Sequence, residues 1–202
     1  MTEIQRVTVY GSASSRIDPI FIEAGEALGE AIAARGWIQV NGGGRTGLMC
    51  AASDGGLRAG GEVEVVILEI FKERGFLHQG IPADKVFVED NMPGRKKGLY
   101  ERGDAYIGLP GGLGTYEELM EVLSWRQLGF HRKPIAMLNV DGFYDPLESL
   151  LLDSIRRGFV AEGFDSCWCI TPDQNELLDW VAGYEPEDFG IGSKVGETRD
   201  FG

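Results

Sequence analysis

The 202-residue chain has no run approaching the roughly 18 consecutive apolar residues of a membrane-spanning helix. Its first six residues lack the charged and apolar regions of a secretory signal, which predicts a cytoplasmic protein. Basic residues are scarce: 19 Lys and Arg against 32 Asp and Glu give a formal charge of −13, a field that repels nucleic acid and anionic membranes. A small anion is still admissible, because local N–H groups and one or two basic side chains act inside the roughly 10 Å over which salt screens distant charge. There are only two histidines, His78 and His131, and three cysteines, Cys50, Cys167 and Cys169. These form no zinc or disulfide framework. They predict two loop histidines, reduced thiols, Cys167 and Cys169 on one face of a strand, and no metal. Both common nucleotide fingerprints are missing: no G-x-G-x-x-G followed by an acid, and no G-x-x-x-x-G-K-[ST]. That weighs against NAD and against ATP hydrolysis, and no repeat of 20 to 50 residues marks a solenoid.

What is present is an ordinary globular composition, 43% hydrophobic and 25% charged. The pattern predicts one nucleotide-binding domain over 1–182 and an acidic, irregular tail over 183–202. Arg6 to Tyr10 reads as a strand, Gly11 to Ser15 as a polar turn, and Pro19 to Arg35 as an amphipathic helix closed by Gly36. Trp37 to Val40 is a second strand, and Gly47 to Ala59 a second helix. Val63 to Leu68, apolar except for Glu64, reads as a strand covered on both faces. Phe71 to Lys85 has no clear period and is expected to be an irregular loop near the ligand, followed by a short strand over Val86 to Val88. Helices over 95–102, 115–128, 145–157 and 173–181 then alternate with strands over 105–109, 134–139 and 167–171. The alternation predicts an α/β, Rossmann-like, doubly wound parallel sheet with helices on both faces.

In such sheets ligands settle at the carboxyl ends of the strands, and three glycine-bearing loops follow strands here. They are Gly11-Ser12, Gly42-Gly43-Gly44, and Pro110-Gly111-Gly112-Leu113-Gly114-Thr115. Glycine lets consecutive N–H groups approach phosphate oxygens, and the helix that follows adds its positive end. The third loop is the strongest candidate for holding the phosphate of a nucleotide. The competing reading is a tight turn in which Thr115 caps the helix and forms a capping box with Glu118. Asp141 and Gly142 read as a turn.

The run Met92-Pro93-Gly94-Arg95-Lys96 together with Pro110-Gly111-Gly112-Leu113-Gly114-Thr115-Tyr116-Glu117-Glu118 resembles the paired motifs M-x-x-R-K and P-G-G-x-G-T-x-x-E of the Lonely Guy family, cytokinin riboside 5′-monophosphate phosphoribohydrolases. The resemblance extends through Gly11-Ser12, Gly42 to Met49 and Trp125 to Pro146, and covers most of residues 6–182. It implies a cofactor-free homodimer that hydrolyses the N-glycosidic bond of adenine-type nucleoside 5′-monophosphates, AMP or prenylated AMP. It also implies that Arg95 and Glu118 are catalytic. Gly11, Ser12, Gly43, Gly44, Met92, Lys96, Gly111, Gly112, Gly114, Thr115 and Ser124 are then the substrate-binding set. A carboxylate beside ribose suits an oxocarbenium-like transition state and an attacking water, whereas a guanidinium stays charged and serves by position. The chain departs from the family pattern at Pro93 and Gly94 and in the 71–85 loop. Two other readings compete: a non-catalytic nucleotide or cofactor carrier using the same loops, and a pyridoxal phosphate decarboxylase, for which Lys96 is the one candidate Schiff-base lysine.

Overall fold

The computed structural model describes residues 4–189. Seven parallel strands lie in the order β4-β3-β2-β1-β5-β6-β7. They are β1 (Arg6–Tyr10), β2 (Ile38–Asn41), β3 (Val63–Leu68), β4 (Val86–Glu89), β5 (Ala105–Gly108), β6 (Ile135–Leu138) and β7 (Trp168–Thr171). The helices are α1 (Pro19–Ala34), α2 (Gly47–Arg58), α3 (Glu69–Glu73), α4 (Met92–Arg102), α5 (Leu113–Gln127), α6 (Asp145–Arg156) and α7 (Gln174–Gly183). The chain winds outward from β1 to β4, returns to lay β5 on the other side of β1, and continues to β7. The order therefore reverses between β1 and β5, where the first and third glycine loops leave the sheet.

Covering both faces explains the continuous apolar strands. Val7, Val9, Ile107 and Leu138 pack against Leu28 and Ile32 of α1, Leu48 of α2 and Leu177 of α7. The alternate residues Tyr10, Tyr106, Ile135 and Met137 pack against Leu99 of α4 and Leu119, Val122 and Leu123 of α5. Glu64, the polar exception in β3, is nearly enclosed and pairs with Arg102 at 3.3 Å and Arg6 at 3.7 Å. A buried carboxylate is tolerable there because two guanidiniums neutralise it.

Cys167 and Cys169 do not share a strand face. Cys167 ends a tight 3-10 turn, Phe164–Cys167, in the core beneath α5, while Cys169 in β7 packs on the opposite core. The segment read as loop from Phe71 begins inside α3, since the helix starts at Glu69 directly after β3 and ends at Glu73. The next residues are clipped to the second glycine loop: Arg45 N–H donates to the Phe76 carbonyl at 3.0 Å and His78 N–H to that of Gly43 at 2.9 Å. Asp141, at φ 51, and Gly142 do form a turn, held by the Asn139 carboxamide, which accepts from Tyr144 N–H at 2.7 Å. Of the tail, Gly183 still closes α7, and residues 184–189 lie across α5: fully buried Arg126 donates to the Tyr184 hydroxyl at 3.2 Å and the Glu187 carbonyl at 2.6 Å. The remainder of that tail, 190–202, lies outside the described residues.

Helices α1 and α2 meet backbone to backbone. A Cβ built on Gly29 would overlap the Ala52 carbonyl oxygen, and one on Gly55 would overlap that of Glu26. Gly29→Ala gains up to about 1 kcal/mol of helix propensity, but overpacking a seam of this kind costs about 1–3 kcal/mol. The variant should unfold at lower urea concentration than the parent. Gly183→Ala, where the added methyl meets open space, should not.

Candidate functional site

The three glycine loops converge at the carboxyl edge of the sheet. Ser12 N–H donates to the Pro110 carbonyl at 3.2 Å, and the Ser12 carbonyl accepts Met49 N–H at 3.3 Å, so the loops after β1 and β5 and the start of α2 are tied together. The Ser12 hydroxyl accepts Ser14 N–H at 3.0 Å. Gly11 is buried against Leu109 and Leu48.

The third loop does not end in a Thr115 cap. Helix α5 starts two residues earlier, at Leu113, with Gly112 at its cap position and, among the described residues, no side-chain cap on the first N–H groups. Tyr116 N–H is the first to find an intrahelical carbonyl, that of Gly112, at 3.0 Å. The preceding N–H groups are the free positive end of a 15-residue helix. Thr115 is buried inside the first turn, pressed so closely on Gly111 that a Cβ there would overlap its hydroxyl. Added Cβ atoms at Gly112 and Gly114 would meet nothing, so both face the open crevice.

Beside this helix end stands an ion pair. Arg95 Nη1 lies 3.3 Å from Glu118 Oε1, the two side chains only 11% and 14% exposed. Arg95 comes from α4, which begins at Met92 rather than at Arg95: Asn91 caps it by accepting Gly94 N–H at 2.8 Å, and Pro93 fits the first turn because it has no N–H to leave without an intrahelical partner. Arg95 Nη1 also reaches Met92 Sδ at 3.8 Å, and its Nε is buried without an acceptor among the described residues. One turn of α5 carries Glu118 back from the free N–H groups to this guanidinium. Burial holds the Glu118 carboxyl above the usual carboxylate range; the charge and hydrogen bond of Arg95 pull the other way, Glu117 adds to the rise, and Lys96 opposes it.

The neighbouring residues form a second, more exposed bridge. Lys96 Nζ donates to Glu117 at 2.8 Å and Glu121 at 3.1 Å, and the hydrogen bond to Glu117 leads in raising its pKa. Ser124 is not gathered into the cluster: it is exposed on α5, about 9 Å along the axis from Glu118 at 1.5 Å per residue. Tyr10, a strand residue in the sequence reading, proves to belong here. It ends β1 beneath the pair, stacked on Tyr106 with centroids 6.2 Å apart, and burial first, then Glu118 and Glu121, keep its hydroxyl firmly protonated. An aromatic residue closing the strand before the first glycine loop was the available signal.

Behind the third loop, a cavity of about 220 Å³ is lined mainly by Ile17, Phe21, Leu48 and Phe143 together with Ser12, Pro110, Gly111 and Gly112. A larger one, about 610 Å³, opens at the opposite, amino-terminal edge around Asp104, His131 and Lys133. Its polar lining is already committed. His131 binds the Val122 carbonyl at 2.8 Å and accepts Lys133 N–H, with desolvation pushing its pKa down to about 4, while Lys133 Nζ donates to the Tyr100 carbonyl. Size alone therefore does not locate the chemistry; the free helix end and the ion pair do.

Cys50, Asp54 and His78 also approach one another, their ligand atoms all within 4.8 Å. His78 Nδ1 accepts Gly80 N–H at 3.0 Å, so the proton is on Nε2, which donates to Asp54 Oδ1 at 2.9 Å. A metal at Nε2 would need that lone pair. Burial also raises the Cys50 thiol to about 12, far from a thiolate. The trio is a hydrogen-bonded anchor that fastens the segment after α3 to α2.

The sequence profile of the family described as "Possible lysine decarboxylase" matches residues 49–181. The cytokinin riboside 5′-monophosphate phosphoribohydrolase LOG of Oryza sativa subsp. japonica is 38% identical over 187 residues, 92% of this chain and 76% of that protein. A cytokinin riboside 5′-monophosphate phosphoribohydrolase of Arabidopsis thaliana is 36% identical over 194 residues, 96% of this chain and 88% of its own. Among solved structures, the molybdenum cofactor binding protein from Rippkaea orientalis superposes with a TM-score of 0.66 at 22% identity, over 90% of this chain and 97% of that one. The molybdenum cofactor carrier protein of Chlamydomonas reinhardtii gives 0.64 at 19% identity, over 88% and 95%. These two likenesses are likenesses of fold. From the sequence profile and the two plant relatives, the chain belongs to the Lonely Guy family of cytokinin riboside 5′-monophosphate phosphoribohydrolases.

Proposed function

We propose that the chain is a phosphoribohydrolase that cleaves the N-glycosidic bond of adenine-type, cytokinin riboside 5′-monophosphates to free base and ribose 5-phosphate. The observation that carries this reading is the largely enclosed Arg95–Glu118 pair standing one helical turn from an uncapped helix amino terminus. The N–H groups of Gly112, Gly114 and Thr115 take the 5′-phosphate, with the α5 dipole favouring its charge. Gly11, Ser12, Gly43 and Gly44 complete the floor. Ribose then lies over Glu118. Its carboxylate stabilises positive charge developing at C1′ and takes a proton from the attacking water; the new C1′–O bond forms as the bond to the base nitrogen breaks, and that proton balances the one the departing base acquires. Arg95, permanently charged, holds Glu118 in place and orients the sugar through its remaining N–H groups. Met92 flanks the guanidinium. Lys96 is a strut between α4 and α5.

The profile's description as a lysine decarboxylase finds no chemical support in Lys96. A Schiff-base lysine must shed its proton readily, and Glu117 and Glu121 stabilise the ammonium form here. Pyridoxal phosphate should therefore give no imine absorbance with the protein. Leu113, 86% exposed, stands at the mouth of the crevice with half-exposed Met92 and Tyr116, and this rim supports a homodimer whose partner covers it. Light scattering should give twice the chain mass, and a monomer would reject the dimer. A nucleotide substrate and free thiols at Cys50, Cys167 and Cys169 fit a cytoplasmic location.

The reading is tested by chromatographic detection of free base from AMP and from isopentenyladenosine monophosphate. Wild type should release base, and Glu118→Gln should lose at least about 100-fold in kcat, since a general base of this kind contributes about 10²–10⁴, while still binding the nucleotide. Binding by wild type without release from either substrate would establish a carrier instead. Activity should fall with acidification through the raised pKa of Glu118, at a higher pH than an exposed carboxylate would give. Because that pKa is higher folded than unfolded, the native state holds the proton more tightly, and the site loses stability as pH rises through it. Melting curves should thus show Glu118→Gln at least as stable as wild type near neutrality, with the difference narrowing as the pH falls.

A further inference from the structure

The Arg95 guanidinium has an unusual seat. Its Nη2 lies where a Cβ of residue 42 would be, so it rests directly on the Gly42 backbone. Anything that moves that stretch of backbone moves the cation. The residue before it is Asn41, the last of β2, fully enclosed and with both ends of its carboxamide engaged. Asn41 Oδ1 accepts Gly43 N–H at 2.7 Å, and Nδ2 donates to Ser53 Oγ at 2.9 Å; Ser53 in turn donates to the Met49 carbonyl at 2.9 Å. The side chain thus closes a turn over Gly42 from within and ties it to the first turns of α2. The turn requires Gly43 at φ +73, and the Gly43 carbonyl is taken up by His78 N–H at 2.9 Å.

We propose that Asn41 is a positioning residue for the reaction: its carboxamide sets the Gly42–Gly43 turn, the turn is the seat of the Arg95 guanidinium, and the seat fixes the distance between Arg95 and Glu118. Asn41 touches neither member of the pair and acts through the backbone between. The inference rests on the reading of Arg95 and Glu118 as the reacting pair. It adds that their geometry is dictated from the opposite wall of the crevice. Without the carboxamide the buried Gly43 N–H loses its acceptor and turns toward another, and Gly42 tilts with it. The Nη1 to Oε1 contact, at 3.3 Å, is the one hydrogen bond between the two side chains among the described residues.

The test reads the pair directly. The Glu118 carboxyl is titrated by carbon-13 NMR, assigned with Glu118→Gln, in wild type, Asn41→Ala and Asn41→Ser, and base release is assayed in parallel. The charged groups around that carboxyl are Arg95 and Lys96 on α4 and Glu117 and Glu121 on α5, with the Tyr10 hydroxyl below it. Only Arg95 is seated on the Gly42 turn. Asn41→Ala should move the Glu118 midpoint to higher pH, because the guanidinium recedes. It should lower kcat by about 10- to 100-fold, the scale of a misplacement near 1 Å, with KM changed much less. Asn41→Ser, whose hydroxyl can still accept Gly43 N–H, should fall between. Should Asn41→Ala not fold, Asn41→Ser against wild type decides by the same shift. A folded variant whose Glu118 midpoint equals that of wild type overturns the proposal, whatever its activity. Wild type that releases no base overturns the hydrolase reading alone, since the titration still reports whether Asn41 holds the pair.

Discussion

Everything at the carboxyl edge of this sheet depends on keeping a guanidinium and a carboxylate side by side in a place largely closed to water. A pair of this kind is poorly stabilised by its own attraction, because desolvating both charges offsets much of the Coulomb gain. It persists only where the backbone leaves it no better arrangement. Arg95 is bounded by the bare backbone of Gly42, the thioether of Met92 and the carboxylate of Glu118. Each boundary comes from a different element, so β2, α4 and α5 must all be in register before the pair exists. The sheet order puts β2 and β5 on either side of β1, which brings the glycine loop of one and the helix of the other into a single crevice.

The same constraint accounts for the side chains around the pair. Glu118 is kept partly reluctant to ionise by burial and partly willing by Arg95, the balance that the proposed exchange of a proton with water calls for. Lys96, one residue on, is engaged by Glu117 and Glu121, and its charge opposes theirs beside the Glu118 carboxylate. Tyr10 presents an aromatic floor and a protonated hydroxyl beneath negative charge, adding no charge of its own.

Much of this was legible in the residues. The alternation of apolar runs with amphipathic segments gave the doubly wound sheet, and paired motifs at fixed separation brought Arg95 to Glu118 before any coordinates. The misreadings have a common physical origin. Thr115 looks like a cap because caps are recognised by residue type, yet here the loop is so tight that the helix begins at Leu113 and the threonine is folded under Gly111. Cys167 and Cys169 have strand spacing, but a 3-10 turn ends at Cys167 and destroys the alternation. Ser124 was placed by resemblance, and the fold sets it exposed on α5, apart from the Arg95–Glu118 pair. Tyr10 offered only its place at the end of β1 before the first glycine loop, and Asn41 offered no local signal, because what each faces, an ion pair and a glycine turn, is set by the tertiary fold.

The backbone seam between α1 and α2 has a mechanical meaning. Where Gly29 faces the Ala52 carbonyl and Gly55 that of Glu26, there are no side chains to slide over or repack, so the two helices behave as one thick plate. The loops that lead into these helices, including Ser12 and the Gly42–Gly44 turn, are mounted on that plate and tied together across it. One jaw of the crevice is therefore stiff.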